Sequence, residues 1–250
     1  MTADPGSIPI VNTYFLHATL GGCPTPAQVK AYNPLFRRRI DAVARATDRR
    51  PVVYLLEVDA IGSSRCISKA GALPGWEADL RYEINKLGSL PHTLVYVEAC
   101  YSDSNSVGYT ARVLNAVGVS KIRGFFTNDT HEAWTIDEVH WATRISRRTH
   151  GAHFIVDTAD NGRGPKLNRN RVKYGNEQLC NPPGRGLGIP NTTVTGFAFA
   201  DGFLWTHPPG NSSGHCNGGP PGGVFWPARA EGEAERANMQ LGPGYPSRPY

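Results

Sequence analysis

Carboxylates, one amide and one imidazole recur at a regular place in this chain, directly after short apolar runs. The residues at these places are Asp59, Glu98, Asn128, Asp157 and His207. Carboxyl and imidazole groups transfer protons, and amides hydrogen-bond to hydroxyl-rich ligands. The same stretches hold further carboxylates and flat rings, at Asp103, Asp201, Trp134, Trp205 and Trp226. Because flat aromatic faces suit sugar rings, carbohydrate chemistry leads the activities that these residues could support.

Six apolar runs predict the strands that position these residues. The strands are predicted at residues 8–16, 52–58, 93–97, 121–126, 153–156 and 197–205, with a last helix at 227–241. Between the runs, apolar residues recur at helical spacing, as at Trp76, Leu80, Ile84 and Leu87. Strands that alternate with helices and lack hairpin signals are parallel. Open parallel sheets and barrels both bind ligands at the carboxyl ends of their strands, so a site is expected there.

Composition narrows the class of protein. The chain has 250 residues, of which 40% are hydrophobic and 19% charged, which indicates a folded domain rather than a disordered tail or a coiled coil. No apolar stretch approaches the roughly 18 residues of a membrane span. The net charge of +5 includes a run of arginines at 37–39 on a helical pattern, where a solvated face is favoured over a nucleic-acid surface. We expect one domain over 1–250, with flexible tails at 1–7 and 242–250.

Other chemistries find little support. The glycine-rich stretches at 161–165 and 184–188 fit neither nucleotide-binding pattern, and a G-x-S-x-G nucleophile motif is absent. Cys100 follows a strand, but a small buried thiol is favoured over a nucleophile. The sequence contains no C-x-x-C pair, which would indicate a zinc site. The sequence therefore predicts neither a metal nor an organic cofactor.

Five cysteines bear on the compartment. They are Cys23, Cys66, Cys100, Cys180 and Cys216. Two distant pairs and one spare suit an exported, oxidised protein, and the alternative is a cytosolic protein with five buried thiols. The first residues show no charged region followed by an apolar core, so no signal peptide is predicted within this chain.

Five motifs occur in a fixed order along the chain. They read VVYLLEVDAIG, IRGFFTND, FIVDTADNGRGP, LCNPPGRGLGIPNT and DGFLWTHPPG. With these motifs the chain resembles glycoside hydrolase family 6, the cellobiohydrolases and endoglucanases of β-1,4-glucans, from about residue 10 to 226. The resemblance implies a distorted β/α barrel of seven strands, a secreted protein, and inverting hydrolysis without a cofactor. The six predicted strands then indicate an incomplete barrel, in which the family's first strand has no counterpart.

The resemblance also assigns residues. It implies disulfides between Cys23 and Cys66 and between Cys180 and Cys216, with Cys100 outside both. Asp59 matches the aspartate of the family's Glu-Pro-Asp motif, which tunes the catalytic acid and assists its protonation.

Substrate contacts carry over in the same way. Asn128 and Trp134 match substrate-contacting residues, and His207 stands where the family has a substrate-binding lysine. Asn211 and Ser213 stand where the family's Pro-Gly-Glu-x-Asp-Gly has its two carboxylates. Asp157 matches an aspartate that we interpret as structural.

The departures affect catalysis. An inverting glycosidase needs a protonated carboxyl group and a carboxylate roughly 6.5–9.5 Å apart, with water between them. In the family, the catalytic acid lies in an Arg-Asp-Cys-like segment, whereas residues 19–23 here read Thr-Leu-Gly-Gly-Cys and hold no carboxylate. Asn211 and Ser213 cannot accept a proton near neutral pH as carboxylates do. If the chain is an enzyme, Asp59 is the retained carboxylate and Glu98 or Asp103 is its replacement partner.

Two classes of function therefore remain. One is a cellulase-type hydrolase that acts on a polysaccharide or oligosaccharide. The other is a non-catalytic glycan-binding relative that kept the fold and lost both proton-transfer groups. Neither reading involves nucleic acid or a membrane, and the chain is expected to be a monomer unless another chain completes the barrel.

Overall fold

The structure is a computed structural model that describes residues 6–129, 131–167 and 178–245. Its six strands form one sheet in chain order, from β1 to β6. They are β1 (Ile10–Asn12), β2 (Val52–Leu56), β3 (Thr93–Glu98), β4 (Gly124–Thr127), β5 (His153–Asp157) and β6 (Ala200–Leu204). Neighbours pair in parallel, with Ile10 beside Val53 and Leu56 beside Val97. The predicted α/β class with six parallel strands is confirmed, and β1 and β6 are the two ends of the strand order, as expected for an incomplete barrel.

Seven α-helices lie in the described part of the chain. They are α1 (Leu16–Leu20), α2 (Pro26–Thr47), α3 (Ala60–Lys69), α4 (Leu73–Gly88), α5 (Val107–Val117), α6 (Thr135–Ser146) and α7 (Pro227–Glu235). A short 3-10 helix occupies Val119–Lys121. None of the described helices is both long and apolar enough to cross a bilayer.

Several elements differ from what the sequence predicts. The strand predicted at 8–16 ends at Asn12, because the N–H groups of Phe15 and Leu16 turn toward the carboxylate of Glu57 and α1 begins at Leu16. Helix α3 was missed because two serines, Ser63 and Ser64, interrupt its apolar pattern. The strand predicted at 121–126 begins only at Gly124, and the last helix ends at Glu235 rather than 241.

The chain divides into two compact units. The first unit comprises Met1–Cys100, Gly108–Phe126 and Ser146–His153, and the second comprises Tyr101–Val107, Thr127–Ile145 and Phe154–Tyr250. A single domain over 1–250 stays a prediction. The tails predicted at 1–7 and 242–250 lie outside the described residues at 1–5 and 246–250.

The first unit is built around the long helix α2. Its start is stabilised by a capping box, in which Thr25 accepts from the Gln28 N–H and the Gln28 side chain accepts from the Thr25 N–H. Buried apolar residues then recur at helical spacing, and Phe36 and Ile40 are fully buried. Salt bridges and hydrogen bonds join α2 to α4, including Lys86 to Asp41 at 2.8 Å.

In the second unit, β5, β6 and α6 carry fully buried apolar side chains. These side chains include Phe154, Val156 and Phe203 from the strands and Ala142 and Ile145 from the helix. Long irregular segments connect these elements. Backbone hydrogen bonds between Thr192 and Phe203 fasten one of these segments to β6.

Candidate active site

Asp59 lies at the carboxyl end of β2 and caps the start of α3. Its side chain is half-buried, and the Tyr14 hydroxyl donates to its Oδ2 at 3.4 Å. Burial, followed by the charge and hydrogen bond of Asp59, raises the pKa of Tyr14 to about 12. The Tyr14 phenol therefore keeps its proton at neutral pH and donates a hydrogen bond to a carboxylate that solvent can reach.

Two further polar side chains lie beside Asp59. The ring of His17 stacks on that of Tyr14 with centroids 5.7 Å apart, and Ser63 Oγ lies 3.3 Å from His17 Nδ1. Ser63 is one turn along α3, with its N–H bonded to the Asp59 carbonyl at 3.1 Å. A Cβ atom on Gly22 would lie 3.4 Å from Ser63 Oγ and 3.5 Å from His17 Cε1. Sequence reasoning did not single out Tyr14, His17 or Ser63.

Glu98 ends β3 and points to the same helix. Its side chain is 3% exposed, and its Oε2 accepts from the N–H of Ile61 at 3.0 Å. A carboxylate at a helix N-terminus is favourable because the first N–H groups lack partners within the helix. The structure thus brings Glu98 to the first turn of α3, whose N-cap residue is Asp59, and this contact positions the helix.

Two glutamates of the first unit, Glu57 and Glu83, are fully buried. Glu57 accepts from the N–H groups of Phe15 and Leu16 at 3.0 and 2.7 Å. Burial raises its pKa to about 7, although these two hydrogen bonds act in the opposite direction. Burial and the charge of Glu57 raise the pKa of Glu83 well above its ordinary value. One of the two carboxyl groups therefore keeps its proton near neutral pH.

Left-handed backbone conformations follow three of the strands. After β2, φ is 55° at Glu57 and 65° at Asp59, after β3 it is 73° at Cys100, and after β4 it is 70° at Asn128. Side chains other than asparagine and aspartate seldom adopt such values, and residues that do are concentrated at functional sites. This regularity supports a site at the strand ends.

In the second unit, His207 and Asp157 form a close ion pair. Nδ1 of His207 lies 2.6 Å from Asp157 Oδ2, while Asp157 Oδ1 accepts from the N–H groups of Ala159 and Thr206. Nε2 of His207 lies 3.4 Å from Asp160 Oδ2. Burial alone would lower the pKa of His207, but the charge of Asp157 and the hydrogen bonds that the ring donates to its aspartate neighbours hold that pKa well above its usual range. His207 is therefore a cation at neutral pH.

The ion pairs continue into α7. Arg229 Nη2 donates to Asp160 Oδ2 at 3.1 Å, and Arg229 Nε lies 2.7 Å from Glu233 Oε1. Against the effect of burial, hydrogen bonds and charges of His207 and Arg229 lower the pKa of Asp160. Burial and then the charge of Asp160 raise the pKa of Glu233 to about 7. The side chain of His207 is 21% exposed and the other four, Asp157 included, are at most 8% exposed, so His207 carries the solvent-facing charge of this network.

The same place offers a set of metal-type ligands. Ligand atoms of Asp129, Asp157 and His207 lie within 4.8 Å of one another. Both ring nitrogens of His207 face carboxylates, and a protonated imidazole has no lone pair for a metal. The donor set therefore fits an ion-pair network better than a metal centre.

Asn128 and Trp134 are held by the loops around them. The Asn128 amide donates to the carbonyls of Asp157 and Ala133 at 2.9 and 3.2 Å and accepts from the N–H of Ala133 at 3.0 Å. Asn128 is fully buried, so these bonds fix the turn after β4. Trp134 is half-buried and packs against Gly164, where an added Cβ would lie 2.1 Å from the indole.

Asn211 and Ser213 lie in the loop after β6. Ser213 is exposed, and its N–H donates to Asn181 Oδ1 at 2.7 Å. Asn211 is half-buried and pairs with Phe225 in an isolated bridge. The buried polar residue of this loop is Ser212, which donates to the Pro220 carbonyl at 2.7 Å. The structure brings the two predicted residues into one loop, next to the disulfide of Cys180 and Cys216.

Asp103 lies in a turn of the second unit that begins at Tyr101. The Ser104 N–H and hydroxyl both donate to the Tyr101 carbonyl, and Asp103 is half-buried.

The ring of Tyr101 stacks on that of His131, and burial lowers the pKa of His131 to about 4.

Both predicted disulfides are confirmed. Cys23 bonds to Cys66 and Cys180 to Cys216, with Cα atoms 5.2 and 6.1 Å apart. Cys100 is in neither disulfide and is buried. Its Sγ would lie 2.8 Å from a Cβ on Gly62, so it packs closely on α3.

The sequence did not indicate several members of the ion-pair network. Asp129 and Asp160 also follow strand ends, but their neighbours in the sequence were singled out instead of them. Arg229 and Glu233 lie about 70 positions further along the chain than Asp160. The one available signal was the spacing of Arg229 and Glu233 by four residues on a helix.

Comparisons with known proteins define the class. The chain is similar to Endoglucanase A of Cellulomonas fimi, with 34% identity over 191 residues that cover 76% of this chain and 39% of the relative. It is similar to Endoglucanase 1 of Streptomyces sp. (strain KSM-9), with 31% identity over 91% of this chain and 60% of the relative. The chain thus spans about half the length of these curated relatives.

Solved structures show the same likeness. The endoglucanase Cel6 from Mycobacterium tuberculosis, in complex with a methyl-cellobiosyl-4-deoxy-4-thio-β-D-cellobioside, superimposes with a TM-score of 0.79 at 33% identity, over 92% of this chain and 76% of that one. Endoglucanase CEL6B from Humicola insolens has the same fold, with a TM-score of 0.75 at 21% identity, over 92% and 76%. With its parallel sheet, this chain has the fold of these endoglucanases. The profile described as glycosyl hydrolases family 6 matches residues 20–235, and the chain belongs to this family.

Proposed function

We propose that the protein is a glycoside hydrolase that cleaves β-1,4-glucan with inversion at the anomeric carbon. The observation that carries the proposal is Asp59, a solvent-accessible carboxylate held at the carboxyl end of β2 on a scaffold of the family. A second observation supports the substrate class, because a relative of 33% identity is described in complex with a cello-oligosaccharide analogue.

In the proposed reaction, Asp59 is the acid. Its carboxyl group gives a proton to the glycosidic oxygen while the bond from that oxygen to the anomeric carbon breaks. Water attacks the anomeric carbon from the opposite face, and its extra proton passes to a base. We propose Asp103 for that base, since it is half-buried. Glu98, which is buried and bound to the Ile61 N–H, is proposed to act by positioning the helix that Asp59 caps.

Substrate binding is proposed for the polar residues of the second unit. His207 offers a cation where the family has a lysine, and its neighbours keep it charged at neutral pH. Trp134 supplies a half-buried ring, and Asn211 and Ser213 supply hydrogen-bonding groups from one loop. Asn128 is proposed to contribute by shaping the turn after β4.

Secretion, polysaccharide degradation and a monomeric state belong to the same proposal. Two disulfides support an oxidising compartment, because such bonds are rare in reducing cytosol.

A non-catalytic glycan-binding relative is the second candidate function. It is favoured by the absence of a carboxylate from residues 19–23 and from residues 209–214, two segments that carry carboxylates in the resemblance.

Asp59→Asn is the test of the enzyme proposal. Purified protein is incubated with cellohexaose, and shorter oligosaccharides are separated by chromatography. We expect Asp59→Asn to lower kcat about 10²–10⁴-fold, because it removes the proton donor. Asp137→Asn, at an exposed position of α6, is the matched control and should keep the wild-type rate.

The two functions give opposite results. Products from wild-type protein at a rate that Asp59→Asn does not change would reject Asp59 as the acid. No products from folded wild-type protein that still binds cellohexaose, measured by calorimetry, would favour the glycan-binding relative.

A further inference from the structure

The loop between β6 and α7 folds into a short antiparallel ladder, in which Asn211 pairs with Phe225. Two backbone hydrogen bonds of 2.9 Å lie on either side of this pair, from the Trp226 N–H to the Gly210 carbonyl and from the Ser212 N–H to the Val224 carbonyl. A pair flanked in this way is the non-hydrogen-bonded kind, whose side chains share one face of the ladder and lie close together. The fold therefore brings the Asn211 amide beside the Phe225 ring.

Both side chains of this pair are available to a ligand. Phe225 is 57% exposed and Asn211 is half-buried. Among the described residues, the Phe225 ring stacks on no other aromatic ring, and no hydrogen bond reaches the Asn211 amide. The ring is nevertheless held at one edge, because its Cε2 lies 3.1 Å from where a Cβ atom on Gly210 would stand.

We propose that Phe225 and Asn211 form a sugar-binding platform, in which the Phe225 ring stacks on one face of a glucose unit and the Asn211 amide hydrogen-bonds to its hydroxyl groups. The inference rests on the proposed function, because it adds a subsite for the same β-1,4-glucan. The hydroxyl groups of β-glucose are equatorial, so the two faces of the sugar ring carry C–H groups. An aromatic face covers such C–H groups, and an amide both donates to and accepts from hydroxyls.

The loop that carries the platform is held rigidly by the disulfide of Cys180 and Cys216 and by the buried side chain of Asn181. The amide of Asn181 donates to Ser212 Oγ at 3.1 Å and accepts from the Ser213 N–H at 2.7 Å. Ser212 is also buried and donates to the carbonyl of Pro220 at 2.7 Å. A site that is already ordered loses little conformational entropy on binding, which favours affinity for a sugar.

The exposed apolar surface of the ladder suits a sugar ring better than a protein partner. Val224 is 46% exposed, and because it directly precedes Phe225 in one strand, the two side chains point to opposite faces of the ladder. Each face thus presents one of these two side chains. A stable protein interface buries about 800 Å² on each partner, whereas one aromatic ring matches one pyranose ring.

The test is the binding of cellohexaose, measured by calorimetry in an Asp59→Asn background that removes the proposed acid. Phe225→Ala should raise Kd about 5–15-fold, because the exposed half of the ring no longer covers the sugar. Asn211→Ala should raise Kd about 2–10-fold through the loss of a hydrogen bond. In the wild-type background, Phe225→Ala should raise KM and leave kcat unchanged.

Three further variants separate stacking from a structural effect. Phe225→Tyr keeps the flat ring and should preserve Kd, whereas Phe225→Leu keeps apolar bulk against Gly210 and should weaken binding nearly as much as Phe225→Ala. Val194→Ala is the matched control, since Val194 is 79% exposed elsewhere in the second unit, and it should leave Kd unchanged.

NMR spectra of the bound sugar give a readout that a structural role would not change. Stacking on an aromatic face should move C–H signals of cellohexaose upfield with Phe225 and with Phe225→Tyr, but not with Phe225→Leu. Because the ring is exposed, Tm of each Phe225 variant should stay within about 2 °C of its parent.

The outcomes distinguish this inference from the proposed function. Equal Kd values for the parent and Phe225→Leu, or an upfield shift that survives Phe225→Leu, would overturn the platform and leave the proposed hydrolase intact. Binding that depends on Phe225, in wild-type protein that releases no products, would support the platform and reject hydrolysis of this substrate. Folded protein that binds no cellohexaose would overturn both, since both require a β-1,4-glucan ligand.

Discussion

At the residue scale, the buried pair of Glu57 and Glu83 is the most consequential feature outside the catalytic groups. Glu57 has two N–H donors for its charge, whereas burial and the neighbouring charge both disfavour a charge on Glu83. Two carboxyl groups in one apolar site cannot both ionise without a large loss of stability. A proton held by Glu83 therefore belongs to the folded state.

Glu83→Gln should stabilise the protein at alkaline pH. The pKa of Glu83 is raised in the folded state, so folding binds a proton, and this contribution to stability falls as the pH rises above the ordinary value of 4.5. Glutamine keeps the shape and needs no proton. We expect Tm of the variant to exceed that of wild type by about 2–4 °C or more at pH 8 and by much less at pH 4.5.

The control for this prediction is Glu231→Gln, an exposed glutamate of α7. It should leave the pH dependence of Tm unchanged. A Glu83→Gln variant that is less stable than wild type at pH 8 would show that a charged Glu83 carboxylate stabilises the fold at that pH.

The sequence predicted single site residues better than their partners. Asp59, Asp157 and His207 follow strand ends, and strand ends are visible as the ends of apolar runs. Arg229 and Glu233 were missed because only folding brings α7 to Asp160, about 70 positions away. His17 comes directly after the strand predicted at 8–16, and no pattern in the sequence singled it out.

At the element scale, α3 is positioned by its neighbours more than by its own pattern. Its first N–H groups face Glu98, and Cys100 packs on Gly62. Strands and long amphipathic helices were predicted from their periodicity. Helix α3 was not, because serines interrupt the apolar periodicity of its sequence. Contacts that come from other strands leave no trace in the local pattern.

Gly62→Ala should destabilise the protein by about 1–3 kcal/mol, because the added Cβ would approach Cys100 Sγ to 2.8 Å. Gly108→Ala on α5 is the matched control, since no atom lies within 4 Å of its added Cβ. It should be neutral or stabilising by up to about 1 kcal/mol. Urea unfolding measures both.

A double-mutant cycle identifies the cause. In a Cys100→Ala background, Gly62→Ala should lose most of its cost because the sulfur is gone. An equal cost in both backgrounds would contradict the proposed contact.

At the scale of the whole molecule, the two disulfides each join distant parts of the sequence. The separations are 43 residues for Cys23 and Cys66 and 36 residues for Cys180 and Cys216. The resemblance to the family implied the pairing, and spacing alone could not. The six-stranded order of the sheet was predictable from the six apolar runs, which the resemblance sets against the seven strands of the family.

Replacing either pair by serines should lower stability by about 4 kcal/mol, because each bond restricts the unfolded chain. Since the closed loops are similar in length, the two double variants should differ from each other by only a few tenths of a kcal/mol. Thermal melts with and without reducing agent measure the effect. Cys100→Ala is the control, and reduction should lower its Tm as much as that of wild type. A pair whose removal leaves Tm unchanged would not be formed in solution.

The left-handed residues that follow β2, β3 and β4 also restrict how this protein can be re-engineered. Glu57, Asp59, Cys100 and Asn128 occupy backbone conformations that valine, isoleucine and threonine strongly disfavour. Random mutagenesis at these four codons would return few functional clones beyond glycine, asparagine and aspartate. A library that seeks a new glycan preference would sample more folded variants if it left these codons alone and diversified Ser213 and Trp134 instead.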